Sequence, residues 1–164
     1  MSFEHYVTAG GKRLRCGYTT GTCAALAAAA AARLLLTGRA PETVSLHTPK
    51  GWNVEVPVET PCLEGGAACC CVTKDGGDDV DATHGLPICA RVEAIAGEGI
   101  LLQGGSGVGR VTRPGLDQPV GEWAINHIPR QMIREAVDAV RRELDEPGGL
   151  CVTIFVPGLS LIHI

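Results

Sequence analysis

The chain has 164 residues, which suits one domain with a buried core. Its formal net charge is −4 and its basic residues are scattered, which argues against a nucleic-acid-binding protein, because such a protein needs a basic face. The longest apolar run is alanine-rich and interrupted by Arg33, and the N-terminus lacks a hydrophobic segment. We therefore expect a cytoplasmic protein with neither a membrane span nor a signal peptide.

The first predicted element is a helix from about Thr22 to Leu36, ended by Gly38. A polar, glycine-broken turn precedes it, and this turn contributes Thr19 and Thr20. Hydroxyls and unpaired N–H groups at a helix start can hold an anion or a carboxylate, and Arg13 and Arg15 stand just upstream. The simpler interpretation is a well-capped core helix, which composition alone favours.

Strand-like runs and turns follow in chain order, and a second helix follows them. A hairpin is predicted from residues 43–48 and 52–58, a buried strand from 67–73, a second hairpin from 88–95 and 99–103, a helix from 129–144 and a final strand from 151–156. Two main helices on a mixed, largely antiparallel sheet make an α+β fold.

Eight cysteines occur without any Cys-x-x-Cys pair, so the usual zinc or thioredoxin-like spacing is missing. Cys69, Cys70 and Cys71 are consecutive in the buried strand, where neighbours point to opposite faces and cannot jointly ligate one metal. We expect them to be reduced, packed side chains. Packing is also the expected role of Cys16 and Cys23, which bracket the polar turn.

An acidic loop spans residues 75–85 and carries four aspartates, at positions 75, 78, 79 and 81. Its spacing does not match a calcium loop, and aspartate and glycine also favour turns, so no protein-bound metal is expected. His84 is the best-placed titratable base in the chain. Residue type alone instead favours a loop histidine that is hydrogen-bonded to backbone.

A glycine-rich loop spans residues 104–109 and is followed by Arg110 and Arg113. It lacks the G-x-G-x-x-G spacing and no helix follows it, so a dinucleotide site is rejected. The planar guanidinium group of arginine forms paired hydrogen bonds with carboxylates, which suits a polycarboxylate ligand. A tight hairpin with solvated arginines is the equally favoured alternative.

Four stretches, in this order, resemble the CbiD family, the cobalt-precorrin-5B C1-methyltransferases of anaerobic cobalamin biosynthesis. They are residues 14–25 (LRCGYTTGTCAA), 72–85 (VTKDGGDDVDATHG), 104–116 (GGSGVGRVTRPGL) and 119–126 (PVGEWAIN). The sequence departs from the usual family pattern at residues 126–130 and in the cysteines around residue 70.

The resemblance implies methyl transfer from S-adenosylmethionine to C1 of cobalt-precorrin-5B, giving cobalt-precorrin-6A. The cobalt is carried by the substrate, and the nucleophile is a ring carbon of the substrate, so no covalent protein intermediate is required. Motif position and chemistry assign Asp78, Asp79 and His84 to the reacting edge. The substrate-binding residues are expected to be Thr19, Thr20, Thr22, Arg110 and Arg113.

The resemblance also implies that family members continue past this chain through a second, glycine-rich α/β portion. We therefore expect an N-terminal CbiD-like domain over residues 1–149 and the start of a truncated second portion over 150–158. Residues 159–164 (LSLIHI) read like a translated sequencing-adapter end and are expected to be non-native. The truncation would leave the strand at Cys151 as an unpaired edge.

Two other functions remain open at this point. A non-catalytic module could sequester a tetrapyrrole or another polycarboxylate with the same arginines and helix start. A thiol-rich metal or redox protein is the weakest alternative, because paired cysteine spacing is absent.

Overall fold

The computed structural model describes residues 4–78, 83–158, 162 and 164. Within these residues the chain forms nine strands and two helices. In chain order they are β1 (Tyr6–Ala9), β2 (Lys12–Arg15), α1 (Thr20–Thr37), β3 (Thr43–His47), β4 (Asn53–Pro57), β5 (Glu59–Glu64), β6 (Ala67–Thr73), β7 (Pro87–Ile95), β8 (Ile100–Gly104), α2 (His127–Leu144) and β9 (Gly149–Phe155).

The main sheet has five strands in the order β5-β6-β7-β9-β8, and only the β8–β9 pair is parallel. The pairs β1–β2 and β3–β4 are separate antiparallel hairpins. The predicted α+β fold, with two main helices and a largely antiparallel sheet, is confirmed.

Helix α1 lies at the centre of the molecule, and every residue from Gly21 to Ala32 is buried. It packs against β6 and β7 and also against α2 and β3. Alanine suits this position because a small side chain lets neighbouring backbones approach from several sides. By length and hydropathy α1 would also pass as a membrane-spanning helix, but two thirds of that window is buried inside the protein.

Both ends of α1 follow from local sequence. Thr19 caps the start, where its Oγ1 accepts a hydrogen bond from the Thr22 N–H at 3.0 Å. Gly38 ends the helix at φ 77°, and its N–H donates to the Leu34 carbonyl at 2.8 Å. The prediction of a capped core helix ended by Gly38 is confirmed.

The prediction of a second hairpin over residues 88–95 and 99–103 is wrong. β9 lies between β7 and β8, antiparallel to the first and parallel to the second. A short turn signal cannot show that a later strand will be inserted, and β9 brings Leu150, Val152 and Ile154 into the core there. The expected unpaired edge at Cys151 is wrong for the same reason.

Strands β1, β2 and β5 were not predicted. β5 contains Pro61 and lacks an alternating pattern, as an exposed edge strand can. β1 and β2 form an exposed hairpin around Gly10 and Gly11.

The cysteine strand β6 has the predicted bounds and alternation, with Cys70 in the core. Cys71, however, is joined to Cys89 by a disulfide, so the expectation that all three cysteines are reduced is wrong for Cys71. The antiparallel register of β6 and β7 sets these two residues directly opposite each other, with Cα atoms 4.1 Å apart. Sequence spacing does not reveal such a pairing between strands.

Candidate functional site

The acidic loop docks onto the segment before α1 through paired backbones. The Tyr18 N–H donates to the Asp75 carbonyl and the Asp78 N–H donates to the Arg15 carbonyl, both at 2.9 Å. Gly17 makes this approach possible, because a Cβ there would lie only 2.5 Å from the Gly77 nitrogen. The two motifs singled out in the sequence therefore form one structural unit.

An ion pair fastens that unit. The Arg15 guanidinium donates to both carboxylate oxygens of Asp75, at 2.6 and 2.8 Å, in a bidentate arrangement. These hydrogen bonds, followed by a smaller effect from the Gly77 N–H, hold the pKa of Asp75 below its ordinary value of 3.8, against a partial opposing effect of burial. The same pairing raises the pKa of Arg15.

We expect an Asp75→Asn variant to lose about 1 to 2 kcal/mol of stability at neutral pH, because it removes a partly buried charged pair. Since the folded-state pKa of Asp75 is lowered, its stabilisation is present above the unfolded value near 3.8 and is lost as pH falls through the folded value. The difference in unfolding free energy between wild type and variant is therefore expected to be constant from pH 7 to 5 and to shrink below pH 4. Urea titrations at each pH measure it, and a difference that grows on acidification would contradict the assignment.

A cleft of about 720 Å³ opens beside this unit. Its walls come from the start of α1, the acidic loop, the β3–β4 turn and the first turn of α2, and they include Cys16, Thr19, Thr20, Gly76, Ile128, Pro129 and Met132. Its volume lies within the range of small-molecule sites. A smaller, mainly apolar compartment of about 190 Å³ adjoins it and shares Tyr18, Trp52 and Met132.

The charge of the cleft is opposite to that of the whole chain. Lys50 and Lys74 line it, and no carboxylate side chain does so among the residues that the structure describes. The starts of α1 and α2 meet here, and a helix N-terminus favours anions. The arrangement suits a ligand with an apolar body and anionic groups on its edge.

The β3–β4 turn forms one wall through Trp52. The His5 ring stacks on Trp52 with centroids 4.5 Å apart, and the Lys50 ammonium lies 5.3 Å from the indole centroid. The His5 carbonyl in turn accepts from the Cys16 N–H at 2.6 Å. His5 therefore connects the Trp52 wall to the segment before α1.

Lys74 also lines the cleft and is only 7% exposed. Its Nζ donates to Thr83 Oγ1 at 2.7 Å, and Thr83 Oγ1 lies 3.3 Å from Thr20 Oγ1. This series of side-chain contacts, from Lys74 through Thr83 to Thr20, connects the acidic loop to the start of α1. Sequence reasoning did not select Lys50 or Lys74, although Lys74 stands inside one of the family-like stretches.

The predicted threonines divide between two places. Thr19 and Thr20 line the larger compartment. Thr22 is 3% exposed, borders only the smaller one, and its hydroxyl lies 3.0 Å from Thr19 Oγ1 within the cap. Thr19 therefore caps α1 and also faces the cleft, and an anion site at this turn stays a prediction.

The predicted catalytic residues do not line the cleft where the structure describes them. Asp78 accepts a hydrogen bond from the Arg15 N–H at 2.6 Å. His84 is exposed, and its Nδ1 accepts from the Gly76 N–H at 2.9 Å. Asp79 lies outside the described residues, so its proposed role stays a prediction.

Neither predicted arginine is among the described residues that line the cleft. Arg110 lies over the Trp123 ring at 3.9 Å and donates to the Gly121 carbonyl at 2.7 Å. Arg113 is exposed on the same loop between β8 and α2. The glycines before them serve close packing, since a Cβ at Gly104 would meet the Trp123 ring at 2.6 Å.

Comparison with known proteins gives consistent matches. The CbiD family model matches residues 7–162. The cobalt-precorrin-5B C(1)-methyltransferase of Thermoanaerobacter sp. (strain X514) is 48% identical over 94% of this chain and 42% of its own length. That of Geobacillus kaustophilus (strain HTA426) is 49% identical over 90% of this chain and 40% of its own length.

A solved structure agrees with these matches. The crystal structure of the cobalamin biosynthesis protein (cbiD) from Archaeoglobus fulgidus superimposes with a TM-score of 0.62 and 35% identity, over 93% of this chain and 47% of that one. The chain thus spans less than half the length of the relatives it matches.

Proposed function

The chain belongs to the CbiD family, and on that premise we propose that its cleft binds the macrocycle of cobalt-precorrin-5B and that the chain is part of a cobalt-precorrin-5B C1-methyltransferase. The observation that carries the proposal is a cleft lined by two lysines and an apolar wall in a chain of net charge −4. A cobalt-precorrin has a large conjugated ring and a rim of acetate and propionate groups, which match these two features. The methyl donor we propose is S-adenosylmethionine.

In this proposal the substrate rim meets Lys50, Lys74 and the hydroxyls of Thr19 and Thr20. Charge-assisted hydrogen bonds fix the orientation of the ring, and Trp52 and Met132 contact its apolar surface. The reacting carbon belongs to the substrate, so the protein must align that carbon with the donor's sulfonium methyl group and exclude water. The methyl group moves from sulfur to C1, the sulfonium becomes a neutral thioether, and the substrate supplies the electron pair.

We propose that Asp78 and His84 act as positioning residues. Asp78 holds the acidic loop against the segment before α1 by accepting from the Arg15 N–H, and His84 stabilises the shape of the loop itself by accepting from the Gly76 N–H. With Nδ1 accepting a hydrogen bond, the neutral His84 ring carries its proton on Nε2. That tautomer is a donor toward solvent, which does not suit a general base. Proton transfer by Asp79 remains part of the proposal.

We expect a Lys50→Met variant to bind cobalt-precorrin-5B about tenfold more weakly, because one charge-assisted contact is lost while the stem is retained. Quenching of tryptophan fluorescence in an anaerobic titration measures the dissociation constant. Lys12→Met, the same change on the exposed hairpin outside the cleft lining, is expected to leave it unchanged. Equal affinities for the wild type and both variants would contradict the cleft assignment.

A mass measurement separates catalysis from sequestration. The chain, joined to the remaining sequence of the Thermoanaerobacter relative, is incubated anaerobically with S-adenosylmethionine and cobalt-precorrin-5B. Gain of one methyl group by the tetrapyrrole supports the methyltransferase. Binding without any mass change would favour the non-catalytic module.

A further inference from the structure

The smaller compartment beside the cleft ends on two buried threonines. Both compartments share the walls formed by Tyr18, Trp52 and Met132, whereas Thr22 and Thr48 border the smaller one alone. These threonines are only 3% and 9% exposed, so they form its inner end. The smaller compartment is therefore a branch of the cleft that leads from the shared walls to buried hydroxyl groups.

The Thr48 hydroxyl can donate a hydrogen bond into this space. Its oxygen accepts from the Trp52 N–H at 3.2 Å, which leaves the hydroxyl proton to bond elsewhere. No described residue accepts that proton. A buried donor without an acceptor is unfavourable, so the site suits a ligand that brings an acceptor.

The paired hydroxyls of Thr19 and Thr22 add a second donor. They lie 3.0 Å apart, and Thr19 Oγ1 also accepts from the Thr22 N–H. One hydroxyl proton lies between the two oxygens, and no described residue accepts the other. Whichever hydroxyl donates within the pair, one proton is left for a ligand.

Lys50 supplies a positive charge at the mouth of the smaller compartment. It is exposed and lines both compartments, and no carboxylate pairs with it among the described residues. Trp52, Ile128 and Met132 make the rest of the wall apolar. An apolar passage with hydroxyl donors inside and an ammonium group at its mouth matches a short alkyl chain that ends in a carboxylate.

The volume limits the length of that alkyl chain. The smaller compartment has about 190 Å³. Four or five non-hydrogen atoms, at no more than about 30 Å³ each, need up to about 150 Å³. A carboxymethyl or carboxyethyl group has this size, whereas a tetrapyrrole ring is far too large.

We propose that the smaller compartment binds one carboxyalkyl arm of the macrocycle, with the carboxylate held by the hydroxyls of Thr22 and Thr48 and its charge balanced by Lys50. This inference rests on the proposed binding of cobalt-precorrin-5B in the cleft, because the rim of that molecule carries such arms. An arm held in the smaller compartment fixes the rotation of the ring and so determines which ring carbon faces the methyl donor. Thr22 and Thr48 are thus positioning residues.

NMR of a methionine methyl group tests the proposal on the 164-residue chain. Met132 is one of two methionines in the chain and lines the smaller compartment, and its signal is identified by its loss in Met132→Leu. Sodium propanoate, a free alkyl carboxylate, is expected to shift the carbon-13 methyl signal saturably. Propanamide has nearly the same shape without the charge and is expected to bind about tenfold more weakly. Sodium chloride at equal ionic strength is the control for screening.

Two substitutions at one position separate the hydroxyl from the shape of the side chain. Thr48→Val is expected to weaken propanoate binding about tenfold, whereas Thr48→Ser retains the hydroxyl and most of the affinity. Because Thr48 also accepts from the Trp52 N–H, damage to the β3–β4 turn would weaken both ligands equally. The readout is therefore the ratio of propanoate to propanamide affinity, and Thr22→Val provides the same readout at a second position.

The outcomes distinguish this inference from the proposed function. Equal affinities for propanoate and propanamide, no saturable shift of Met132, or an unchanged ratio in both valine variants would overturn the inference. Cobalt-precorrin-5B that binds without displacing propanoate would overturn it as well, while leaving the protein a tetrapyrrole binder. Failure of cobalt-precorrin-5B to bind at all would contradict the proposed function and, with it, the identity of the arm.

Discussion

Replacing Gly17 by alanine is expected to destabilise the protein by about 3 kcal/mol and to abolish the cleft. The added methyl group would lie 2.5 Å from the Gly77 nitrogen, and this atom belongs to the backbone and cannot rotate away. The clash separates the acidic loop from the segment before α1, which removes the pairing of Tyr18 with Asp75 and the register that lets Arg15 reach that carboxylate.

Urea unfolding measures the stability change, and tetrapyrrole titration measures the loss of the cleft. Gly148→Ala is the matched control, because a Cβ there meets nothing within 4 Å and its φ is not in the left-handed region. A Gly17→Ala variant with the unfolding midpoint and affinity of the wild type would show that the loop is not docked as described.

Overpacking the central helix is expected to have an effect of similar size. Ala28 is 0% exposed in the middle of α1, which is enclosed by β6, β7, α2 and β3. Ala28→Leu adds three carbon atoms where no neighbour can move independently, so we expect a loss of about 3 kcal/mol. The midpoint of urea unfolding is expected to fall while its slope stays constant.

Ala139→Leu is the control, since Ala139 is exposed on α2 and the same enlargement there is expected to change stability by less than about 0.5 kcal/mol. Equal losses at both positions would mean that helix propensity or aggregation, and not enclosure, governs the response. An Ala28→Leu variant as stable as the wild type would contradict the burial of α1 on all sides.

Features set by neighbouring residues were predictable from the sequence. Thr19 and Gly38 determine the ends of α1 through local hydrogen bonds, and the alternation along β6 places Cys70 inside. Features set by tertiary assembly were not. The insertion of β9 between β7 and β8, and the meeting of Cys71 with Cys89, depend on strand pairings that no local pattern encodes.

The candidate site follows the same division. The two dense motifs did identify the segments that build the cleft, and Thr19 and Thr20 line it. The predicted arginine Arg110 lies over Trp123 and outside the cleft lining, whereas Lys50 and Lys74 reach the cleft from separate segments. Residue type suggested arginine as the carboxylate partner, and only the packing of the β3–β4 turn and the acidic loop shows which cations face the cavity.

The most direct test of the account is the alkylation rate of Cys16 in this chain with and without saturating cobalt-precorrin-5B. Cys16 lies in the cleft wall, whereas Cys62 is exposed on β5 and reports general effects of the ligand. A ligand in the cleft is expected to slow the modification of Cys16 by about tenfold and to leave Cys62 unchanged. Bound tetrapyrrole that leaves the Cys16 rate unchanged would contradict the assignment of this cleft as the substrate site.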